Sequence, residues 1–294
     1  MDQPAPSPTY LPFDPDPQPP KSPLPALACD SQFHVFGPPD RYPARPGAAY
    51  TMPSATIERG LALHRTLGIQ RGVIVQPTTY GADHRATLDG LAAAGANYRA
   101  CANAALFAEA TDAELARMDA AGVKGARFTR GGLGLSFSAE ALDRALGRVR
   151  ELGWYVKVQP EVDGIANNID AFEHLETPLL VDHLGRPDPT RGREDPSLAK
   201  LLRLLERPNV WVMVSLVEKI SRQGAPWDDV IPVVRACIEA APDRVVWGSD
   251  WPHPVSTKQP PNEGLLLDFL ARCTDQAERQ KILVDNPARL FGFA

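Results

Sequence analysis

From residue 28 onward the chain alternates short apolar runs with longer stretches whose apolar positions recur at helical spacing. The short runs predict strands at 28–36, 72–76, 98–102, 123–128, 154–159, 178–182, 210–215 and 244–249. Between them, a period near 3.6 residues, usually with a Ser, Asp or Pro close to its start, predicts helices over 54–67, 82–94, 112–120, 139–152, 165–175, 196–205 and 227–240. A last helix is expected over 275–283, leading into Asp285-Asn286-Pro287 and a short closing helix. Strands apolar on both faces and followed by crossover helices are the pattern of a parallel sheet, and eight such units predict a single closed (β/α)8 TIM barrel. A doubly wound open sheet would want a GxGxxG turn opening the first helix. None is present, and the even spacing of the units favours closure.

Residues 1–27 break the pattern. Ten prolines fall within the first 25 positions, among Ser, Asp and Gln with few apolar residues, so this stretch reads as an extended tail. It is expected to be mobile unless it lies against the body or a neighbouring subunit, with the barrel occupying 28–294. Lys plus Arg number 31 against 36 for Asp plus Glu, and a net charge of -5 offers no basic field for a nucleic acid. Four cysteines far apart with no CxxC pair suggest reduced thiols, and neither a zinc site nor a disulfide frame. No apolar run reaches the ~18 residues of a membrane span, and the N-terminus lacks the basic-then-apolar order of a leader. A cytoplasmic protein with no membrane partner is expected, and self-association into a homo-oligomer is left open.

In a barrel of this kind chemistry gathers at the C-terminal strand ends, and those ends are unusually polar here. Strand 1 carries Asp30, Gln32 and His34 on one face by the period of two, and strand 2 runs into Gln76, Thr78 and Tyr80. Strand 4 gives Arg127 and Arg130 beside Gly131 and Gly132, a setting in which forked donors can hold an anion. Strand 5 puts Tyr155, Lys157 and Gln159 on a common face, strand 6 ends at His183 with Arg186 beyond, and strand 8 ends at Asp250, Trp251 and His253. A single histidine at a strand end could simply donate to a backbone carbonyl, but His34, His183 and Asp250 at three separate ends favour a site. His64, His84 and His174 fall on predicted helices and read as surface residues. Lys157 either snorkels outward or points into the barrel, and its shared parity with Gln159 favours inward.

Six segments carry a resemblance: DSQFHVFGP at 30–38, VIVQ at 73–76, GARF at 125–128, VDHLGRPD at 181–188, WGSDWPHP at 247–254 and DNPARLF at 285–291. Together they resemble the amidohydrolase superfamily, and within it the lactonase branch that acts on 2-pyrone-4,6-dicarboxylate and on sugar-acid lactones. The resemblance implies that Asp250 is the base toward the attacking nucleophile, that His183 polarises or orients the reacting group, and that the strand 1 pair, Gln32 and His34, completes the centre. The superfamily's His-x-His on strand 1 is here Gln32-Phe33-His34. A neutral amide is a poor ligand for a borderline divalent metal, and the branch includes metal-free lactonases, so neither a catalytic metal nor another cofactor is expected.

A lactone leaves as an alkoxide or enolate and needs less electrophilic help than an amide, so hydrogen bonds and cations can replace a metal. The expected mechanism has Asp250 deprotonating water while His34, His183 and Lys157 stabilise the oxyanion. Arg127 and Arg130, with Tyr50, Gln76, Thr78, Tyr80, Gln159, Arg186, Lys219, His253 and Gln32, would bind the carboxylates or hydroxyls of a small anionic lactone. If a substrate hydroxyl replaces water, the same site becomes a lactone isomerase, like the galactarolactone isomerases of the branch. A barrel that binds ligand without catalysis is the reading from another class, and the retention of both Asp250 and His183 weighs against it.

Overall fold

The computed structural model describes residues 9–129 and 137–293, so Arg130, Gly131 and Gly132 lie outside the described residues. Eight parallel strands pair in chain order: β1 (Cys29–Phe33), β2 (Arg71–Val75), β3 (Tyr98–Asn103), β4 (Val123–Thr129), β5 (Tyr155–Gln159), β6 (Leu179–Val181), β7 (Val210–Val214) and β8 (Val245–Trp247). Helices α1 (Ile57–Leu67), α2 (Arg85–Ala94), α3 (Asp112–Ala121), α4 (Ala139–Glu151), α5 (Pro196–Leu205), α6 (Val217–Ile220) and α7 (Ile231–Ala240) cross between strands. After β8 come α8 (Glu263–Cys273), α9 (Gln276–Gln280), a π-helical turn at Lys281–Asp285 and α10 (Asn286–Phe291). This is a (β/α)8 barrel, as the alternation predicts. Its outer core packs helices on strands, and a second cluster fills the lumen with Val73, Val75, Cys101, Tyr155, Leu180, Trp211, Met213 and Val246, plugged by Phe291 of α10. All four cysteines are buried and unpaired.

The barrel closes between β8 and β1, and a buried carboxylate makes the seam. Asp30 Oδ1 accepts from the backbone N–H groups of Gln32 (3.0 Å) and Ser249 (2.9 Å), while Oδ2 accepts from the Ser249 hydroxyl and faces His64 Nε2 at 3.3 Å. Above it, Asp250 N–H donates to Gln32 O (2.9 Å) and His34 N–H to Trp251 O (2.7 Å). Gly248 permits this approach, because a β-carbon there would stand 2.9 Å from Gln32 N. A register shift between Asp30 and Phe33 breaks the period of two, so Asp30 meets His64 of α1 while Gln32 reaches Asp250. The single face expected for Asp30, Gln32 and His34 is therefore split. His64, expected at the surface, is buried between Asp30 and the Tyr98 hydroxyl. His84 is buried as well, accepting from Asn103 N–H at 3.0 Å, whereas His174 is exposed.

Two helical expectations fail. Over 165–175 the chain makes only short 3-10 turns at Ile165–Asn167 and Asp170–Phe172, because Asn168 donates its side-chain amide to Gln159 O and competes with a helix. Helix α8 has no counterpart in the expected set, although Asn262 caps its start and Leu266, Leu267, Phe269 and Leu270 mark its buried face. The Pro-rich segment lies against the body from residue 9 onward, with Tyr10, Phe13 and Leu24 packed on the core.

Removing the seam carboxylate strands several buried donors at once. Asp30→Ala should lose about 3–5 kcal/mol of unfolding free energy in urea titrations, the cost of breaking a buried charged network, and a loss below about 1 kcal/mol would remove Asp30 from that role.

Candidate active site

At the C-terminal strand ends a cavity of about 130 Å³ is lined by His34, Tyr50, Thr78, Arg127, Gln159, Val162, His183, Arg186, Leu216, Lys219, Asp250, Pro254 and Val255. Each strand end contributes through its own backbone. Asp250 has a left-handed φ of +61°, which turns the chain sharply as it leaves β8. His183, Leu184 and Arg186 after β6 are likewise left-handed, at φ +50°, +54° and +51°.

Asp250 Oδ1 receives the Gln32 amide at 2.7 Å and faces His34 Nε2 at 3.2 Å. His34 Nδ1 lies 2.7 Å from Val75 O, and a carbonyl can only accept, so Nδ1 carries a proton. A hydrogen bond between Nε2 and Asp250 then requires a second proton within the pair. Burial opposes ionisation of Asp250, but the charge of His183 where that ring is protonated, in acid, and the hydrogen bond and charge of His34 with Lys219 outweigh it and hold the carboxyl well below the usual range. Asp250 is thus a carboxylate whenever the protein is folded near neutrality.

His183 hydrogen-bonds through Nδ1 with the Ser215 hydroxyl at 2.8 Å and has Asp182 Oδ2 at 3.5 Å from Nε2. Burial pushes it down to about 4, so the ring is neutral at pH 7. Lys157 points into the barrel, as its parity suggested, with Nζ 3.3 Å from Asp182 Oδ1 and 3.5 Å from Met213 Sδ. It is fully buried and does not line the cavity, so its reach to an oxyanion, expected from sequence, is replaced by a contact with the carboxylate beside His183.

Three cations reach the cavity: Arg127, Arg186 and Lys219. Arg127 donates to Gln76 O (2.9 Å) and Lys219 to Pro254 O (2.7 Å), while Arg127 Nε is buried with no partner among the described residues. Among the described residues none of the three has a carboxylate within ion-pair distance. Tyr50 and Thr78 share a hydrogen bond at 3.3 Å, and Gln159 offers an Oε1 with no partner among the described residues.

Four residues expected on the substrate, Gln76, Tyr80, His253 and Gln32, are placed elsewhere. Gln76 turns its amide to Asp83 O (2.8 Å) and accepts from Thr87, which spends it on the loop that follows. Tyr80 accepts the Gly37 N–H at 3.2 Å. His253 is fully buried between Glu218 (3.4 Å) and Glu263 (3.2 Å), whose side chains lift it to about 10 against the opposing effect of burial. Gln32 stands beneath the cavity wall, behind Asp250. Sequence reasoning passed over Asp182 and Ser215, which face His183, and Glu218 and Glu263, which clamp His253. Asp182 and Ser215 sit at strand ends, where their polarity was a usable signal, but Glu218 and Glu263 lie on helices and look like surface charges.

The donors do not fit a divalent cation. Gln32 presents its amide N–H, not its oxygen, to Asp250, both His34 nitrogens are engaged, and among the described residues no three His, Cys, Asp or Glu side chains group as metal ligands. Also among these residues, no helix is long and apolar enough to cross a membrane.

A barrel with this polar set at its strand ends belongs to a known class. The chain matches the Amidohydrolase family over residues 29–293 and is a member of it. It is 38% identical over 296 residues to a 2-pyrone-4,6-dicarboxylate hydrolase of Comamonas testosteroni, covering 97% of this chain and 96% of the relative. It is also 38% identical to a 4-sulfomuconolactone hydrolase of Rhizobium radiobacter, covering 92% and 91% respectively. A solved structure from Acinetobacter baumannii, with citric acid bound, superposes with a TM-score of 0.78 at 25% identity over 91% of this chain and 100% of the other.

The buried histidines set a pH optimum of stability. His183 and His84 are pushed down to about 4 from an ordinary 6.5, so the unfolded chain takes up their protons first and stability falls as pH drops from 6.5 toward 4. His253 is raised to about 10, so its contribution is complete below 6.5 and fades as pH rises through 10. Tm should peak near pH 6.5, and His253→Asn should flatten the alkaline limb while leaving the acid limb in place. An alkaline limb unchanged in that variant would contradict the assignment.

Proposed function

We propose that the protein hydrolyses a small carboxylated lactone without a divalent metal, with Asp250 as general base. The observation that carries this reading is the pairing of one buried, ionised carboxylate with three cations that, among the described residues, lack carboxylate partners around one small cavity. Cations left in that condition favour an anionic ligand, since a buried guanidinium is costly until something neutralises it. The relatives named for lactone hydrolysis support the substrate class, and the citric acid held by the Acinetobacter baumannii structure supports a site for several carboxylates.

In this mechanism Asp250 takes a proton from water as the oxygen attacks the lactone carbonyl. The neutral His183 and the cavity's cations stabilise the oxyanion that forms, since both His34 nitrogens are already engaged by Val75 O and Asp250. Collapse breaks the ring C–O bond, and the departing oxygen takes up the proton gained by the Asp250–His34 pair, giving a hydroxy acid or its keto tautomer. A depressed carboxyl is a weak base, so the cations must also hold the carbonyl carbon close to the water; orientation supplies what basicity does not. Lys157 acts at one remove, holding Asp182 beside His183.

The test is NMR of chelator-treated protein, checked metal-free by elemental analysis, with a panel of di- and tricarboxylated lactones. Ring-opened acid should appear, and Asp250→Asn, folded and still binding, should lose at least ~100-fold in rate. A ring of changed size would make the enzyme an isomerase, and activity that returns only with added zinc or manganese would end the metal-free reading.

Arg127 supplies a second measurement. Arg127→Met should raise KM by roughly 10-fold or more, the worth of a charged hydrogen bond of 1.5–3 kcal/mol, with kcat changed much less. An unaltered KM would assign Arg127 to bracing Gln76 O alone.

A further inference from the structure

The N-terminal arm makes four contacts on or beside the residues that form the cavity. Its Phe13 ring lies 4.8 Å from the Trp251 ring, and its Tyr10 ring meets the Tyr50 ring edge-on at 6.2 Å. Between them Leu11 N–H donates to Ser256 O at 3.2 Å, and just before them Thr9 N–H donates to Thr51 O at 3.2 Å. Each contact falls on or beside a residue of the site. Trp251 follows Asp250 directly, and its carbonyl accepts the His34 N–H, so the Trp251 backbone joins the two partners of the acid–base pair. Tyr50 lines the cavity. Ser256 follows Pro254 and Val255, which also line it, and Pro254 O holds Lys219.

The arm is seated as an integral part of the body. Asn262, the cap of α8, donates to Asp14 Oδ2 (3.1 Å) and Asp16 O (3.0 Å) and accepts from Gln18 N–H (3.0 Å). Lys21 N–H donates to Asp268 at 2.8 Å. Gly264 leaves room for the arm's backbone, since a β-carbon there would overlap the Gln18 carbonyl oxygen. Pro12, Pro15, Pro17, Pro19 and Pro20 restrict the segment before it docks, so ordering it costs less entropy than ordering an ordinary chain.

We propose that Phe13 and Tyr10 are positioning residues of the catalytic cavity: Phe13 fixes Trp251 and through it the Asp250–His34 pair, and Tyr10 fixes Tyr50. The assignment rests on the proposed function in taking this cavity as the active site. The two contacts act on different steps. Phe13 bears on the acid–base pair and so on kcat, whereas Tyr10 bears on a wall residue and so on KM.

The test compares full-length Phe13→Ala, Phe13→Leu, Tyr10→Ala and Tyr10→Phe by hydrogen exchange, Tm and kinetics on the lactone that wild-type protein opens fastest. Phe13→Ala should lose exchange protection at 33–36 and 249–256 with the α3 and α4 peptides unchanged, and kcat should fall about 10-fold, a modest share of what misplaced reacting groups cost. Phe13→Leu should restore most of both. Tyr10→Ala should raise KM about threefold with kcat intact, and Tyr10→Phe, which keeps the ring, should match wild type. Unchanged local exchange, a loss of protection spread over the whole barrel, or locally altered exchange with wild-type kinetics would each overturn the proposal. If wild-type protein opens no lactone, the functional reading fails separately, and exchange alone decides whether the arm holds Trp251 and Tyr50.

Discussion

Everything at the top of this barrel hangs on the closure between β8 and β1. β8 is only three residues long, and the ladder hydrogen bonds that complete the ring are made beyond it by Asp250, Trp251, Gln32 and His34. The residues that close the cylinder are therefore the residues that carry the proposed chemistry. Asp30 makes this arrangement stable from below, since its carboxylate satisfies two backbone donors and a hydroxyl from both sides of the join. A closed ring fixes the separation of His34 and Asp250 as firmly as it fixes strand spacing, which is the rigidity a reacting pair needs.

Charge is distributed in two tiers. In the lower tier each cation has a carboxylate beside it: Lys157 has Asp182, and His253 has Glu218 and Glu263. In the upper tier Arg127, Arg186 and Lys219 face the cavity without carboxylate partners among the described residues. Buried pairs contribute little net stability but are costly to break, so the lower tier works as a fixed frame. His253 shows the frame at its clearest, because it ties the turn after β8 to α6, where Lys219 sits, and to the start of α8.

The order of strands was legible because parallel strands buried on both faces read as unbroken apolar runs, and all eight appear where the pattern places them. His34, Arg127, His183, Arg186 and Asp250 were legible as polar residues closing those runs, and they meet at one cavity. What the pattern could not carry was direction. A one-residue irregularity in β1 sends Asp30 outward and Gln32 inward, and no periodicity reports it. Gln76, Tyr80 and His253 have the right chemistry at the right ends, yet backbone groups and buried carboxylates elsewhere claim them. Whether the arm docks was open in the pattern for a related reason: proline content describes the free chain, whereas docking depends on Trp251, Tyr50 and Asn262, more than thirty residues away in sequence.

The left-handed non-glycine residues within the described barrel are confined to its second half. They comprise His183, Leu184, Arg186, Leu216, Trp227, Asp250, His253 and Val255, and the described loops after β1 to β5 hold none. Such backbone persists only where its surroundings overdetermine it, so the loops after β6, β7 and β8 cannot be lengthened or exchanged without releasing the residues they hold. The opposite half carries no such debt. Tyr50 and Thr78 stand outside the strands on segments free of that strain, so what is recognised on this side of the ring can change while the other side is kept.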